Sequence, residues 1–419
     1  MESIKVLWFT NTPSLAGGKF KTSSMTGGWI FSLENAIREE SDIELGVAFY
    51  GKKALLKSDD KNKYFPIEGN NQFFGKLINK IQHINFREED VEDYLSVINE
   101  YVPDIIHIFG TEIPWGRIIR YVKIPVIISI QGNITVIIHK CFSGLPKSFI
   151  QKNLNLKDRL LFRDIISSYK TGKKYSIIEQ EIFSNCKYFT GRTDWDRRIS
   201  KVFAPHSVYF HLDEMLRNIF YETKWDNQLN ETLKVVSTIS EPFYKGLETI
   251  FEALNIFNTK RKDINIEWHI VGITENSIIP RMLKKKYHLY ESLKNKIVYH
   301  GKLHEQYLID VLLKSNIYVQ TSHIENSPNS LCEAMMLGIP IIATYAGGTS
   351  SLLTDKKEGI LIQDGDPYSL AGTIIELCEN YNIAKEYGKH ARERAIERHD
   401  KTKIVNDLRE IYNSVFNSY

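Results

Sequence analysis

Short apolar runs alternate with longer amphipathic segments along the sequence, and this alternation constrains the fold more than any other feature. The runs lie at 4–9, 44–49, 105–109, 126–130 and 188–190 in the first half, and at 234–239, 266–271, 297–299, 317–320 and 339–343 in the second half. Runs that are apolar at nearly every position are typical of strands buried on both faces. Such strands, alternating with helices, predict an α/β fold with doubly wound parallel sheets.

A polar stretch separates the two sets of runs and predicts two domains. The chain has 419 residues, more than a single hydrophobic core usually serves. We therefore expect an N-terminal Rossmann-like domain over residues 1–217, a linker over 218–232 and a C-terminal Rossmann-like domain over 233–400. A last helix, in residues 401–419, is expected to pack back on the N-terminal domain.

Composition excludes several classes of protein. Hydrophobic residues make up 42% of the chain and charged residues 25%, which is typical of globular proteins. The four cysteines show no CxxC spacing, which argues against a disulfide framework or a zinc site. No apolar run is long enough for a membrane span, and the start MESIKVLWFT lacks the features of a signal peptide. With a net charge of only +3, these observations predict a soluble cytoplasmic protein that does not bind nucleic acid.

One segment carries an excess of positive charge. Residues 139–174 contain nine Lys or Arg against two acidic residues, Asp158 and Asp164, with apolar residues interleaved. A basic amphipathic segment of this kind is able to contact an anionic membrane surface, here the inner face of a membrane. A solvated helical face joined to a loop explains the same pattern.

The strongest motif is the segment QTSHIENSPNSLCEAMMLGIPIIATYAGG, residues 320–348. A strand ends in a polar loop, and Pro328 then precedes a predicted helix. Gly347–Gly348 follows the next strand and opens a second helix. Helix N-termini beyond strand ends present N–H groups that suit phosphates. Glu325 in the loop and Glu333 in the helix can point into one pocket, where a carboxylate accepts hydrogen bonds from sugar hydroxyls.

This run resembles the donor-binding motif of the retaining glycosyltransferases of family 4, which have the GT-B fold and hold the donor between two Rossmann-like domains. The resemblance implies that Glu333 binds the ribose hydroxyls of the donor and that Glu325 lies near the transferred sugar. It also implies that the backbone N–H groups of Asn329, Ser330 and Leu331 meet the diphosphate or the sugar. For an isolated glutamate, a charge at a helix N-terminus or a solvated side chain is the simpler explanation.

Lys245 and Gly246 follow a strand and precede a predicted helix. A lysine at a helix start opposes the helix dipole, so an anionic ligand would explain it. The family resembled has a Lys-Gly at this place, with the lysine bound to the diphosphate. It usually has an arginine five or six residues earlier as well, where this sequence has Ser240 and Ile239.

Arg192, in the segment GRTDWD after a predicted strand, is our candidate for the missing diphosphate cation. A surface ion pair with Asp194 or Asp196 is the simpler role for this arginine. The residues assigned to catalysis from the sequence are therefore Glu325, Lys245 and Arg192.

Four further positions near strand ends are candidates for donor binding. Gly28 is the second of two glycines before a predicted helix, in a spacing that does not match the dinucleotide fingerprint GxGxxG. Gln131 stands where many family members have a histidine that faces the sugar. An amide can hydrogen-bond a hydroxyl but transfers no proton near neutral pH. Gly272 and Gly301 follow strands of the second set, where the resemblance places the nucleotide base.

The resemblance implies front-face transfer, in which the leaving diphosphate assists deprotonation of the acceptor and the protein supplies position and positive charge. It implies a nucleotide-sugar donor, UDP-linked in most members, that carries a hexose or N-acetylhexosamine. The implied acceptor is a saccharide or lipid-linked saccharide of surface polysaccharide biosynthesis. No cofactor and no metal are expected, because cationic side chains and helix dipoles would neutralise the diphosphate.

Three other functions fit parts of the sequence. A GT-B-fold sugar-nucleotide 2-epimerase shares the architecture but not the motif of Glu325 and Glu333. A nicotinamide-dependent oxidoreductase needs the fingerprint that this chain lacks. A non-catalytic sugar-nucleotide-binding protein would explain the departures at Ser240 and Gln131.

Overall fold

The structure is a computed structural model that describes residues 4–19, 28–40, 42–51, 63–68, 90–154, 165–240, 242–287 and 290–419. The chain divides into two compact units. The first unit takes residues from 1–138, 155–215 and 399–419, and the second takes residues from 139–154 and 216–398.

Each unit is built on one parallel sheet. The strands of the first sheet are β1 (Lys5–Phe9), β2 (Glu44–Tyr50), β3 (Tyr64–Ile67), β4 (Ile105–Phe109), β5 (Val126–Ser129), β6 (Tyr188–Gly191) and β7 (Val208–His211). The strands of the second sheet are β8 (Leu233–Thr238), β9 (Ile266–Val271), β10 (Ile297–Gly301), β11 (Ile317–Gln320), β12 (Ile341–Thr344) and β13 (Ile360–Ile362).

Helices connect these strands. In chain order the α-helices of the described residues are α1 (Trp29–Glu40), α2 (Asp90–Tyr101), α3 (Ile134–Ile137), α4 (Lys147–Asn153), α5 (Ile165–Asn185), α6 (Asp194–Phe203), α7 (Asn218–Glu222), α8 (Leu247–Lys260), α9 (Ile278–Lys286), α10 (Tyr290–Leu293), α11 (Glu305–Leu313), α12 (Asn329–Leu337), α13 (Thr349–Leu352), α14 (Pro367–Glu379), α15 (Tyr381–Arg398) and α16 (Lys401–Asn417). Short 3-10 helices lie at Ser14–Lys19, Pro114–Arg120, Ile138–Lys140, Phe243–Lys245 and Lys294–Lys296. No helix within the described ranges is both long enough and apolar enough to cross a bilayer.

The strand order confirms the predicted pair of doubly wound sheets. The first sheet runs β3-β2-β1-β4-β5-β6-β7 and the second runs β10-β9-β8-β11-β12-β13, all with parallel pairing. In each sheet the order reverses direction between two central strands, β1 and β4 in the first and β8 and β11 in the second. Open sheets of this type bind ligands in the crevice beyond the carboxyl ends of such strands. The loops after β8 and β11 are therefore the first place to look in the second unit.

Both faces of the first sheet are buried, as the apolar runs predicted. In β1, Val6 and Trp8 belong to one hydrophobic cluster, whereas Leu7 and Phe9 belong to another. Successive strand residues point to opposite faces, so an all-apolar strand supplies two cores. Three strands were absent from the sequence prediction, and all three are edge strands: β3, β7 and β13. β3 is buried but short and contains Pro66, which counts against a strand in the sequence, and β7 is partly exposed.

The domain boundaries differ from those expected. Residues 139–154, placed by sequence in the N-terminal domain, belong to the second unit, and Leu145 and Ile150 are buried there. Segment 218–232 is not a free linker in the structure, since α7 and Trp225 contribute to the core of the second unit. The linker was predicted from the polar composition of this segment. Buried aromatic residues lie between those polar residues, and they anchor the segment in the second unit.

The last helix, α16, packs on the first sheet through one apolar face. Its Tyr412 hydroxyl accepts a hydrogen bond from Trp8 Nε1 at 2.8 Å and lies 2.7 Å from His107 Nδ1. The other ring nitrogen of His107 lies 2.7 Å from the Ser129 hydroxyl. Burial lowers the pKa of His107 to about 3. His107 is therefore a neutral, hydrogen-bonded histidine of the core.

Candidate active site

The crevice between β8 and β11 brings together a cation and a carboxylate that the sequence singled out. Lys245 lies in the loop after β8, and its Nζ is 2.5 Å from Glu325 Oε1 in the loop after β11. The Ser322 hydroxyl donates to the same carboxylate oxygen at 2.7 Å. Both charged side chains are mostly buried, with exposed fractions of 20% for Lys245 and 11% for Glu325. A mostly buried lysine at this point of the fold is suited to bind an anionic ligand.

Gly246 explains how Lys245 reaches Glu325. Its φ of +74° is a left-handed conformation that side chains rarely adopt. A Cβ at this position would collide with the carbonyl group of Thr321. The glycine therefore lets the loop after β8 approach the backbone of the loop after β11. Lys245 ends a 3-10 turn, and α8 itself begins at Leu247.

The two glycines after β12 hold Glu325 from the other side. Gly347 has a φ of +56°, and a Cβ there would collide with the carbonyl oxygen of Glu325. The N–H of Gly348 donates to that same oxygen at 2.9 Å. The helix that follows, α13, has only four residues. Gly347–Gly348 therefore positions the Glu325 loop, a role that the sequence did not reveal.

Helix α12 starts beside this loop with exposed backbone donors. Pro328 precedes it and offers no side-chain cap. In the described part of the chain, no acceptor is recorded for the N–H groups of Asn329 and Ser330. The N–H of Leu331 donates to the Pro328 carbonyl at 2.9 Å, so the expected contact from Leu331 to a ligand is not available in this conformation. Two of the three expected N–H donors therefore remain open to an anion.

Glu333 has a partner that sequence reasoning missed. Its two carboxylate oxygens accept from Nε and Nη2 of Arg217, each at 2.8 Å. The two residues are 116 positions apart, and Arg217 fell at the end of the predicted N-terminal domain. The structure places Arg217 in the second unit, just before α7. No local pattern in the sequence connects an arginine there to a helix more than a hundred residues later.

A second charged cluster lies in the same loop system. His323 Nε2 is 2.6 Å from Glu248 Oε1, and His323 Nδ1 is 3.0 Å from Asp364 Oδ2. Lys140 contacts the same oxygen of Asp364 at 3.3 Å. Burial lowers the pKa of His323, but the carboxylates of Glu248 and Asp364 outweigh it and raise that pKa overall. The cluster ties segment 139–154 to the loops after β11 and β13.

We expect His323→Gln to destabilise the protein in a pH-dependent way. Because the folded-state pKa of His323 is raised, its contribution is full below the unfolded pKa of about 6.5 and is lost as the pH rises through the folded pKa. The loss should be about 1–3 kcal/mol near pH 5.5 and should shrink towards pH 8.5. Thermal unfolding of both proteins across this range measures it. His206→Gln serves as control, because His206 is exposed and its replacement removes a histidine without touching this cluster.

Arg192 lies in the first unit and is buried, with an exposed fraction of 6%. Its Nε is 3.5 Å from Glu214 Oε2, and its guanidinium stacks over the Trp29 ring at 4.2 Å. The surface ion pair with Asp194 or Asp196 is therefore wrong. Asp194 pairs with Arg197 at the surface, while Asp196 forms a capping box at the start of α6. A diphosphate contact for Arg192 stays a prediction.

The remaining candidates occupy ordinary places at the ends of strands and the starts of helices. Gln131 is half-buried after β5, and Gly28 precedes α1 with no atom within 4 Å of a Cβ built on it. The preceding residue, Gly27, lies outside the described residues. A Cβ on Gly272 would collide with the Ile239 carbonyl, so the protein's own packing accounts for this glycine. Gly301 has a φ of +66°, and its carbonyl accepts from the Gly272 N–H at 2.7 Å.

One carboxylate at the first sheet was not anticipated. Glu112 follows β4, and its Oε2 lies 3.4 Å from the side-chain nitrogen of Asn11, which follows β1. Gly110 and Gly132 leave room for this carboxylate, since a Cβ on either would crowd it. It therefore lies at the crevice of the first sheet. Within the described residues, no group of three His, Cys, Asp or Glu side chains could hold a metal ion.

The second unit matches a known family over most of its length. Residues 220–394 match the family described as Glycosyl transferases group 1. These residues are similar to that family and make up about two fifths of the chain. The site side chains from Lys245 to Asp364 fall inside this match, whereas Arg217 and Lys140 lie outside it.

Similarity to known proteins is not limited to residues 220–394 and covers most of the chain. An uncharacterized glycosyltransferase of Methanocaldococcus jannaschii is 24% identical over 82% of this chain and 90% of its own length. The poly(ribitol-phosphate) alpha-N-acetylglucosaminyltransferase of Staphylococcus aureus is 28% identical over 44% of this chain and 36% of its own. A protein of Anabaena, HepE, solved in complex with UDP-glucose, superposes with a TM-score of 0.63 at 15% identity, over 98% of this chain and all of its own. Together with the match over residues 220–394, these likenesses support a glycosyltransferase of the GT-B fold and do not favour the epimerase or oxidoreductase alternatives.

Proposed function

We propose that the protein is a retaining glycosyltransferase of family 4 that uses a nucleoside-diphosphate sugar, UDP-linked, as donor. It transfers a hexose or N-acetylhexosamine to a saccharide or lipid-linked saccharide in surface polysaccharide biosynthesis. The observation that carries the proposal is the contact of Lys245 with Glu325 in the crevice between β8 and β11. This contact places a mostly buried cation where an open α/β sheet binds its ligand.

The donor diphosphate fits the positive groups around this contact. Lys245 supplies a full charge, and the N–H groups of Asn329 and Ser330 supply hydrogen bonds at the N-terminus of α12. When the diphosphate binds, the Lys245 ammonium exchanges the Glu325 carboxylate for phosphate oxygens. Glu325 is then able to accept a hydrogen bond from a hydroxyl of the transferred sugar. Gln131 and the main chain at Gly272 and Gly301 are proposed contacts of the sugar and the base.

The names of similar proteins support the class of donor and acceptor. The staphylococcal relative is named as a transferase of N-acetylglucosamine to a polymer. The Anabaena structure contains UDP-glucose. A UDP-linked hexose or N-acetylhexosamine and a saccharide acceptor are the simplest donor and acceptor that agree with both and with the positive groups of the site.

Front-face transfer is the proposed reaction. The bond from the anomeric carbon to the diphosphate oxygen breaks, and the acceptor oxygen bonds to that carbon on the same face. The proton of the acceptor hydroxyl passes to the departing phosphate oxygen. Lys245 stabilises the negative charge that develops on the diphosphate in the transition state. Electrostatic stabilisation of this kind is usually the largest single contribution to lowering the activation barrier. No metal ion is required in this proposal, because lysine and helix N–H groups carry out the neutralisation.

A screen of sugar nucleotides tests the function. UDP-, GDP- and dTDP-sugars are first compared by thermal shift, and those that stabilise the protein are then assayed for transfer in EDTA. We expect a UDP-sugar to stabilise the protein and to yield a product whose anomeric configuration, determined by NMR, is that of the donor. An inverted product would contradict the retaining assignment, and an epimerised donor without a new glycosidic bond would contradict the transferase.

The acceptor part of the proposal includes peripheral contact with a membrane at its cytoplasmic face. Exposed Lys147 and Lys152 on α4 lie in the described part of the basic segment 139–174, while residues 155–164 lie outside the described residues. Such lysines attract anionic headgroups. Co-flotation with anionic but not neutral liposomes is expected, and equal recovery with both would remove this part of the proposal.

A further inference from the structure

The first sheet has a crevice of its own at the carboxyl ends of β1 and β4, where its strand order reverses. Open α/β sheets bind ligands at this point. Three polar or aromatic side chains lie at this edge of the sheet: Asn11 follows β1, Tyr50 ends β2 and Glu112 follows β4. All three residues are exposed, although the strands that carry them are buried. The proposed binding of the donor uses none of them.

The fully buried Trp115 connects two of these side chains. Its ring stacks with that of Tyr50, with the centroids 4.5 Å apart and the planes at 30°. Its Nε1 donates to Asn11 Oδ1 at 3.4 Å. The Tyr50 hydroxyl also contacts the hydroxyl of Tyr94, which is buried. Tyr50 is therefore held in place by its neighbours, while 40% of its surface stays exposed.

Glu112 continues this row of side chains. Asn11 Nδ2 lies 3.4 Å from Glu112 Oε2 and donates to it. In the part of the chain that the structure describes, no other side chain donates a hydrogen bond to this carboxylate. An ionised carboxylate offers about four acceptor sites, so most of its capacity is available to a ligand that carries hydroxyl groups.

The charges around Glu112 disfavour an anionic ligand. Glu112 is accessible from the open side of the crevice, but the surrounding protein desolvates its carboxyl group and raises its pKa to about 7. Glu179 on α5 adds to this increase in pKa, whereas Asn11 and Arg192 oppose it. Arg192 is itself paired with Glu214. An anionic group beside Glu112 would therefore be repelled whenever this carboxyl group is ionised.

This combination of side chains suits a neutral sugar. An aromatic ring can pack against the apolar C–H face of a pyranose, and planar amide and carboxylate groups can hydrogen-bond to its hydroxyls. We infer that Tyr50, Asn11 and Glu112 form the acceptor site, in which an uncharged pyranose stacks on Tyr50 and Glu112 selects it over an anionic sugar. This inference rests on the proposed function, which requires a saccharide acceptor besides the donor. The three residues lie outside the matched segment 220–394.

The test uses pairs of methyl glycosides that differ only in the group at carbon 6: a glucoside with its glucuronide, and a galactoside with its galacturonide. Saturation-transfer NMR on the full chain measures their affinities at pH 5.5 and 8.5. At pH 8.5 the wild type should prefer the neutral member of a pair by roughly five- to tenfold. The preference should shrink at pH 5.5, because Glu112 is then protonated whereas the uronates stay ionised.

Variants assign this binding to the crevice. Tyr50→Ala should weaken the affinity for the neutral glycoside about tenfold, whereas Tyr50→Phe keeps the ring and should stay within about twofold of the wild type. Glu112→Gln keeps the shape of the side chain without its charge, so it should lose the preference at both pH values. If Tyr50→Ala does not fold, Glu112→Gln carries the test.

The controls are Tyr121→Ala and Glu44→Gln, which should behave as the wild type. Tyr121 is an exposed tyrosine of the same unit, and Glu44 is an exposed glutamate at the start of β2, at the opposite edge of the sheet.

Slow hydrolysis of the donor by the wild type, in which water replaces the acceptor, separates this inference from the proposed function. If the wild type hydrolyses a sugar nucleotide but binds no neutral glycoside, the inference is overturned and the proposed function stands. Wild-type affinities and preferences in both Tyr50→Ala and Glu112→Gln would have the same meaning. Equal affinities for the two members of a pair at pH 8.5 would overturn the charge selection by Glu112. A wild type that binds the glycosides but neither hydrolyses nor transfers from any sugar nucleotide would overturn the proposed function, and with it the assignment of this site to an acceptor.

Discussion

Replacing Lys245 by methionine is expected to lower the rate of sugar transfer by about 10²–10³. The Lys245 ammonium lies 2.5 Å from Glu325 Oε1, in the crevice between β8 and β11. Charge builds up on the diphosphate as the sugar leaves, so the lost stabilisation is larger in the transition state than in the bound donor. Methionine keeps the length and apolar body of the side chain, which limits the change to the charge.

The measurement is kcat and KM for the donor found in the screen. We expect kcat to fall by more than KM rises, since Asn329 and Ser330 still bind the diphosphate. Lys260→Met is the control: Lys260 is exposed at the far end of α8, so its loss removes an equal charge without touching the crevice. A similar decrease in both variants would indicate an effect of net charge, and an unchanged kcat in Lys245→Met would remove this lysine from the mechanism.

Replacing Gly246 by alanine is expected to destabilise the protein by about 3 kcal/mol and to abolish most of the transfer activity. Gly246 has a φ of +74°, and a Cβ there would collide with the Thr321 carbonyl. Relief of that collision requires the loop after β8 to move away from the loop after β11. Lys245 is the adjacent residue, so its ammonium would move away from Glu325. Stability and activity should therefore fall together.

Urea unfolding measures the stability of this variant, and an assay at saturating donor measures the activity. Gly372→Ala is a matched control, because Gly372 lies within α14 and an added Cβ meets no atom within 4 Å. Alanine there should leave activity unchanged and should stabilise the helix by up to about 1 kcal/mol. Wild-type stability in Gly246→Ala would contradict the claim that this glycine is needed for the close approach of the loops after β8 and β11.

Much of the fold follows from the sequence, for a physical reason that individual strands illustrate. A central strand of a parallel sheet is buried on both faces, so β1, β4, β8 and β11 had to be apolar at nearly every position and were predicted. The edge strands β3, β7 and β13 were missed, because one side of an edge strand lacks a neighbour and tolerates Pro66 or partial exposure. The domain boundaries also depend on contacts that polar composition does not reveal.

The candidate site also combines residues that the sequence indicated with contacts that only the structure shows. The sequence by itself indicated Lys245, Glu325, Asn329, Ser330 and Glu333, because loops that follow parallel strands lie at one edge of a sheet and because their motif resembles that of family 4. Only the tertiary structure decided which other side chains these site residues contact. Arg217 lies 116 positions from Glu333, and Lys140 lies 224 positions from Asp364. Such pairs leave no periodic or local signal, since their partners are chosen by the packing of distant segments. The structure likewise showed Arg192 paired with Glu214 rather than exposed, because burial is a property of the folded chain.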